Sequence, residues 1–412
     1  MTPKISPFLI LKIPVFRNFL IGTFVSEIGS QMQVVAVAWQ VYELTRNPVS
    51  LGFIGLANFL PILLFSLFAG LAADKLDRKK LLVVSQGSLA ILAFILFLTT
   101  NAHITTPWMI YLVLVFYSIA SAFSLPARQA VLPNLAPKHL FMNAVSLHTL
   151  QFQASVLIGP AIAGLMIAGL GVGPVYLFNA ISFLIFIVGI LMIRVPLSAK
   201  AVKIEFNTRS ILDGIKFVTS TPILYSTMIL DFLATFFGTA TILMPIFATD
   251  ILHVGPKGLG LLYSAPAVGA VVAGLLLSFF HHHQLKNQGK IIVISIILYG
   301  AATIGFGLSR NLTVSLLFLG LAGFGDMISS VIRNTIRQLV TPDHLRGRMV
   351  SIMRIFFQGG PQLGEVEAGL LAAAVGGPIS VVVGGVGVIA ITSLLAYFNP
   401  KLREYQGKEV AV

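Results

Sequence analysis

Residues 81–100 read LLVVSQGSLAILAFILFLTT and carry no charged side chain. An α-helix rises 1.5 Å per residue, so a run of about 20 apolar residues crosses the roughly 30 Å of hydrocarbon in a bilayer. Runs of this kind predict twelve spans, centred near residues 28, 61, 90, 119, 156, 184, 236, 268, 299, 322, 360 and 388. The runs lack the alternation of a membrane barrel, and every backbone amide in lipid needs a partner. We therefore expect an all-α membrane protein with twelve transmembrane helices.

The composition excludes an ordinary soluble domain. The 412 residues are 57% hydrophobic and 10% charged, with a mean hydropathy of +0.94, whereas soluble domains carry roughly 25% charged residues. The absence of cysteine excludes disulfides and thiolate metal sites. The net charge of +13 comes from short basic clusters between apolar runs, which favours a lipid bilayer over nucleic acid as the partner. The N-terminal run has no cleavage signal, so we expect it to remain as the first helix.

Basic residues predict the orientation, because they accumulate in the cytoplasmic loops of multi-pass proteins. An even number of spans places both termini on one side of the membrane. Of the 27 Lys and Arg residues, only Arg46, Lys257 and Arg310 fall in loops on the opposite side. The sequence therefore predicts cytoplasmic N- and C-termini. We expect a monomer in a bacterial inner membrane.

The chain repeats itself at an offset of 205 residues, as the parallel repeats of transporters do. The matched landmarks include Gly55 with Gly260, Pro61 with Pro266, Arg128 with Arg333, Gln153 with Gln358, and Gly159 with Gly364. The repeat predicts two pseudo-symmetric six-helix bundles, 1–194 and 221–412, joined by a cytoplasmic linker, 195–220. Within the linker, Ile211, Leu212, Ile215 and Val218 recur at helical spacing, which predicts an amphipathic helix at the membrane surface or a simple tether.

The segment after the second span, GLAADKLDRKKLL at residues 70–82, resembles the loop signature of the major facilitator superfamily. The family pattern usually has glycine where this chain has Asp77. The resemblance implies the major facilitator fold and a gate formed by Gly70, Asp74, Arg78 and Lys79, which would hold the two halves together on the cytoplasmic side. The alternative is a basic loop that only sets the topology.

The fifth span reads SVLIGPAIAG at residues 155–164 and is similar to a motif of proton antiporters in the same superfamily. Its Gly159, Pro160 and Gly164 would allow close helix contact and a bend; the alternative is ordinary small-residue packing. Residues 124–140 and 213–224 resemble the branch that contains enterobactin exporters and macrolide efflux pumps. The intramembrane arginine of many drug antiporters is missing from residues 108–124.

Five carboxylates fall within predicted spans, where an ionisable group is costly and is a functional candidate by default. They are Glu27, Asp231, Asp326, Glu365 and Glu367. Glu27 and Asp231 each lie in a polar stripe, with Thr23, Ser30 and Gln31 around the first and Thr235 and Thr239 around the second. A carboxyl group held away from water can take up and release a proton, so we predict these two as proton or cationic-substrate sites. The alternative is a satisfied structural network.

Further polar residues share helical faces in the tenth and eleventh spans. Asp326 lies on one such face with Ser330 and Arg333, and the other carries Ser351, Arg354, Gln358, Gln362 and Glu365. We include Asp326, Gln358, Gln362 and Glu365 among the candidate substrate and proton residues. For Arg333 and Arg354, reaching towards the membrane surface or pairing with Asp326 is the simpler expectation. Glu367 is expected to reach the outer interface.

The sequence predicts a transporter rather than an enzyme. No Walker-type loop is present, so the expected energy source is a proton gradient and no cofactor is expected. The run His281–His283 lacks suitable neighbours for a metal site and is expected to be a solvated loop. We predict proton-coupled export of an amphipathic small molecule, such as a drug or siderophore, by alternating access. The alternatives are an uncoupled facilitator that takes up a nutrient or flips a lipid, and a membrane sensor that has lost transport.

Overall fold

The computed structural model describes residues 9–193, 216–239, 241–279, 287–342 and 346–406, and within these ranges it contains helices and no strands. Within the described ranges, twelve principal helices follow one another. They are α1 (Pro14–Thr45), α2 (Pro48–Lys75), α3 (Arg78–Asn101), α4 (Pro107–Leu135), α5 (Phe141–Leu170), α6 (Gly173–Leu191), α7 (Pro222–Gly238), α8 (Gly255–Ser278), α9 (Gln288–Leu308), α10 (Leu312–Val340), α11 (Arg346–Val375) and α12 (Gly377–Phe398). The prediction of an all-α protein is confirmed.

Short turns complete the described secondary structure. Three are 3₁₀ turns at Leu9–Lys12, Lys138–Leu140 and Thr241–Leu243; Met244–Ile246 and Pro400–Arg403 are single α-turns, and Phe247–Ile251 is a π-turn. Of the predicted linker, only residues 216–220 are described, and they are helical. Ile211, Leu212, Ile215 and the run His281–His283 lie outside the described residues.

Eleven helices of the described residues are long and apolar enough to cross a membrane. They include every principal helix except α11, with α7 counted together with the turns that follow it to Ile251. The 30 residues of α11 are also long enough to span about 30 Å, but its arginines and carboxylates lower its hydropathy. The protein is therefore a multi-pass membrane protein.

Helix boundaries follow from local capping chemistry. Proline occupies one of the first helical positions of α4, α7, α8 and α12, where its missing N–H group costs nothing. Asp77 is the N-cap of α3, and its carboxylate accepts hydrogen bonds from Lys79 N at 2.8 Å and Lys80 N at 3.2 Å. The aspartate that departs from the family pattern thus starts the third helix.

The chain folds into two compact units. Unit 1 comprises Met1–Thr45 and Leu60–Lys203, and unit 2 comprises Arg46–Phe59 and Ile204–Val412. Helix α2 is divided between them, and the change of unit lies one residue before Pro61, which sits inside the helix. A proline removes one backbone hydrogen bond from a helix and favours a bend. The backbone hydrogen bonding of α2 is therefore interrupted close to the point where the helix passes from unit 2 to unit 1.

Each unit has its own apolar core, and four helix pairings are common to both. In unit 1, α1 packs against α5 and α6, while α3 packs against α4 and α6. In unit 2, α7 packs against α11 and α12, while α9 packs against α10 and α12. These four pairings correspond one to one at a shift of six helices. The packing thus supports the internal repeat found in the sequence.

Candidate functional site

In unit 1, helices α1 and α4 bring Glu27 and Arg128 together as an ion pair. The pair is mostly withdrawn from solvent, with side-chain exposures of 20% for Glu27 and 10% for Arg128. The Arg128 guanidinium lies 4.7 Å from the centre of the Phe186 ring, and its Nη2 is 3.4 Å from Ser26 Oγ. Glu27 is therefore held by a fixed cationic partner in this unit.

Polar side chains continue along α1 on both sides of Glu27. Thr23 and Ser30 donate to backbone carbonyls of their own helix, at 2.7 and 2.9 Å. Two buried glutamines further along α1 accept hydrogen bonds, Gln33 from Asn179 at 2.7 Å and Gln40 from Tyr176 at 2.7 Å. These two glutamines, which lie outside the predicted stripe, tie α1 to α6.

The glycine motif of α5 lies against α1. A methyl group at Gly159 would lie 2.6 Å from Gln31 Cβ and 3.0 Å from the Ile28 carbonyl oxygen, and Pro160 and Gly164 are buried in the same helix. The two helices approach this closely because Gly159 has no side chain. Gln31 thus lies at the contact of α1 with α5.

In unit 2, helices α7 and α10 form a denser charge cluster. Asp231 Oδ1 is 2.9 Å from Arg333 Nη2, and Asp231 Oδ2 is 3.0 Å from Arg337 Nη2. The side chains are 4%, 1% and 2% exposed for Asp231, Arg333 and Arg337. Arg337 Nη2 also donates to the Thr227 carbonyl oxygen at 2.8 Å. The Asp231 carboxylate is thus bound on both oxygens by guanidinium groups.

Asp326 is the most exposed acid of this cluster. Its carboxylate lies 3.7 Å from Arg333 Nη2 and is 48% exposed, and it accepts a hydrogen bond from Ser330 at 3.4 Å. Arg333 retains Nε and Nη1 buried without a hydrogen-bond partner among the described residues. Asp326 therefore contacts the Arg333 guanidinium, which also pairs with Asp231. The contact of Arg333 with Asp326 is the longer of the two.

The two units contain the same arrangement of an acid on the first helix and an arginine on the fourth. Arg128 and Arg333 differ by the offset of 205, and Glu27 and Asp231 lie on equivalent helices α1 and α7. Sequence reasoning missed this pairing, although the repeat had already aligned the two arginines. Of the two alternatives for Arg333, pairing with Asp326 is the one observed, at 3.7 Å, and the buried guanidinium also makes a shorter ion pair with Asp231, at 2.9 Å.

Helix α11 positions the other predicted polar residues of unit 2. Thr235 donates to the Asp231 carbonyl oxygen at 2.8 Å and lies next to Gly360 of α11. Gln358 is partly buried on α11. Glu365 and Gln362 lie near Gly55 in the first part of α2, which also belongs to unit 2. The surroundings of the Arg354 side chain lie outside the described residues.

The predicted gate residues are only partly described. Gly70 and Asp74 belong to α2, but their surroundings are outside the described part of the chain. Arg78 Nη1 donates to the Ala130 carbonyl oxygen at 3.1 Å, and Lys79 Nζ donates to the carbonyl oxygens of Leu191 at 3.0 Å and Ile193 at 2.8 Å. In unit 1 these two side chains thus bind carbonyl groups of α4 and of the C-terminal end of α6.

Comparison with known proteins decides the family. The model of the transmembrane secretion effector family matches residues 5–411. The chain belongs to this family. It is therefore a transporter of the major facilitator superfamily rather than an enzyme, and both the fold and the resemblance stated from the sequence are confirmed.

Several curated members of the superfamily are similar over nearly their full length. The staphyloferrin A transporter of Staphylococcus aureus is 27% identical and is covered to 97%, with 94% of this chain aligned. The multidrug efflux pump Tap of Mycolicibacterium fortuitum is 26% identical, covering 91% of this chain and 93% of the pump. The enterobactin exporter EntS of Citrobacter koseri is 26% identical, covering 95% and 94%.

Solved structures show the same fold at lower sequence identity. A bacterial homologue of the human lysosomal transporter Spinster, in an inward-facing and occupied conformation, superposes with a TM-score of 0.72 at 14% identity, covering 95% of this chain and 98% of that chain. The nucleoside transporter NupG gives a TM-score of 0.72 at 16% identity, with coverages of 95% and 99%. This likeness confirms the transporter fold expected from the sequence.

Proposed function

We propose that this transmembrane secretion effector exports an amphipathic small molecule by alternating access and drives export with protons. The observation that carries the proposal is Asp326, a half-exposed carboxylate on a membrane-spanning helix. It lies 14 residues from each end of α10 (Leu312–Val340), which is roughly 21 Å from either end and so near mid-membrane. An ionisable group at that depth points to a transport pathway or a proton relay.

The geometry of the cluster supports proton exchange at Asp326 rather than at Asp231. Both carboxylate oxygens of Asp231 are already engaged by guanidinium groups, at 2.9 and 3.0 Å. Asp326 has one guanidinium contact at 3.7 Å, and Arg333 remains neutralised by Asp231 when Asp326 takes up a proton. Glu27 and Asp231, the first choices from the sequence, are therefore assigned to positioning their arginines, and Asp326 to carrying the exchanged proton.

The substrate class follows from the same group. A cationic or hydrogen-bond-donating substrate would bind the exposed carboxylate of Asp326 only when it is unprotonated, so substrate and proton would compete. That competition is the basis of antiport. Similarity to transporters and exporters named for staphyloferrin A, enterobactin and multiple drugs supports export of an amphipathic molecule.

The basic residues support an orientation with both termini in the cytoplasm. In that orientation α7 enters from the cytoplasmic side at Pro222, and Asp231 lies nine residues further along, roughly 13 Å into the membrane. The buried cluster would then sit on the cytoplasmic side of Asp326. We assign the protein to a bacterial cell membrane as a monomer that requires no cofactor.

The proposal is tested by efflux of a fluorescent lipophilic cation from energised vesicles that contain the protein. Wild-type efflux should stop when an uncoupler collapses the proton gradient. Asp326→Asn should lose efflux driven by the gradient but retain downhill movement of the cation, because asparagine cannot carry a proton. Glu404→Gln is the matched control, since Glu404 is an exposed acid paired with Arg403 after α12. Export that is insensitive to the uncoupler would contradict proton coupling and favour the facilitator.

A further inference from the structure

Within unit 2, the first part of α2 packs on α11 at the level of Glu365. A methyl group at Gly55 would lie 2.8 Å from Glu365 Cβ and 3.0 Å from Glu365 Oε2. A methyl group at Gly52 would lie 3.3 Å from the carbonyl oxygens of Glu365 and Val366. The backbone of α2 therefore lies directly against the carboxyl group, with no side chain at Gly52 or Gly55 to separate them.

The carboxyl group has no evident counter-charge at this contact. Among the described residues, no hydrogen bond or ion pair reaches Glu365. One helical turn earlier on the same face, Gln362 Oε1 is buried and has no hydrogen-bond donor among the described residues. A carboxylate is an acceptor only, whereas a protonated carboxyl group can donate a hydrogen bond to such an oxygen. The contact between α2 and α11 therefore favours the protonated form of Glu365.

The titratable groups of the neighbouring elements do not supply that counter-charge. Residues 48–59 of α2 contain no titratable side chain, and neither does the turn Thr241–Leu243. Arg46, which precedes α2, pairs with Asp250 at 3.5 Å. The acid of α7 is Asp231, which is bound to its two arginines, and α12 has no titratable residue before Tyr397. The hydroxyl of Tyr263 on α8 is near enough to be affected by the charge of Glu365. On α11 itself, Glu367 is two positions away and adds only negative charge.

Helix α2 also crosses from one unit to the other. Residues up to Phe59 belong to unit 2 and residues from Leu60 belong to unit 1, with Pro61 at the change. The sequence repeat, by contrast, assigns the whole of α2 to the bundle 1–194. If transport moves that bundle against the bundle 221–412, the contact of residues 48–59 with α11 forms and breaks in each cycle. Glu365 is the acid that this movement would cover and uncover.

We propose that Glu365 is a proton-binding site and that its protonation holds the first part of α2 on α11. One proton from the outer aqueous phase forms an O–H bond at the carboxylate and allows the close contact at Gly55. Loss of the proton leaves a charge that requires water, and α2 separates from α11. This inference rests on the proposed proton-coupled export. In it, proton binding at Glu365 closes the outer end of the transport pathway.

The natural absence of cysteine makes the contact accessible to labelling. Val366→Cys places a thiol where the backbone of α11 faces Gly52, and Ile104→Cys, at an exposed position after α3, serves as the reference for the intrinsic pH dependence of the reaction. A membrane-impermeant maleimide is added from outside. The ratio of the two labelling rates should rise with pH by up to about tenfold per unit, because one proton is linked to closure.

Variants of Glu365 decide the inference. In the Val366→Cys background, Glu365→Gln should label slowly at every pH because glutamine is neutral, whereas Glu365→Asp should keep the pH dependence and Glu367→Gln should behave as wild type. Each variant is first shown to be folded by size-exclusion chromatography. If Glu365→Gln labels with the wild-type pH dependence, the inference is wrong. That outcome leaves uncoupler-sensitive export intact, whereas uncoupler-insensitive export refutes the proposed function itself.

Discussion

Replacing Asp231 with asparagine should destabilise unit 2 more than removing any other acid of the chain. The variant removes two charge-assisted contacts, at 2.9 and 3.0 Å, and leaves Arg333 and Arg337 buried at 1% and 2% exposure. Removing one partner of a buried ion pair costs about 3–5 kcal/mol, because the remaining charge is uncompensated. Asp326 can neutralise only part of that charge from 3.7 Å.

The measurement is the free energy of unfolding in mild detergent, followed for Asp231→Asn, Arg337→Met and the double variant. Because Arg337→Met removes one of the two arginines that lose the Asp231 carboxylate, the double variant should be less destabilised than the sum of the single variants. Glu27→Gln should cost less than Asp231→Asn, since its pair with Arg128 is more exposed. Equal effects of Asp231→Asn and the surface variant Glu404→Gln would refute the electrostatic account of the cluster.

Two further predictions concern packing and capping in unit 1. Gly159→Ala should lower the free energy of unfolding by about 1–3 kcal/mol through overpacking against α1, whereas Gly169→Ala in the same helix, which has no atom within 4 Å of the added methyl, should not; equal effects would contradict the close contact. Lys79→Met should lower the free energy of unfolding by about 1–3 kcal/mol, because two carbonyl groups lose a charged donor. Lys80 is exposed, so Lys80→Met should leave the free energy of unfolding nearly unchanged in the same assay.

Much of the fold could be predicted because membrane insertion acts on local sequence. Apolar runs of about 20 residues identify spans one at a time, and the repeat at 205 residues relates the two halves without any long-range contact. The division of α2 between the units could not be predicted this way. It depends on which neighbours residues 46–59 contact, and Pro61 marks only the position at which the helix is weak.

The sequence predicted the acidic residues of the candidate site but not the arginines with which Glu27 and Asp231 pair. A lone carboxylate such as Glu27 stands out in an apolar run, whereas Arg128 follows the apolar part of α4, where basic residues are expected at the membrane surface. Their contact joins residues that are 101 positions apart, so no local pattern encodes it. The alignment of Arg128 with Arg333 was the available signal, together with the equivalence of α1 and α7. Asp77, in contrast, has a purely local role: this departure from the family pattern is explained by its position as the N-cap of α3.

The most direct test of the central claim is proton movement coupled to substrate. Purified protein is reconstituted into liposomes that enclose a pH-sensitive dye, and a lipophilic cation is added outside without any imposed gradient. The account predicts that cation movement in one direction is accompanied by proton movement in the other, and that Asp326→Asn moves the cation without the proton signal. Wild-type protein that transports the cation with no change in internal pH would contradict the account.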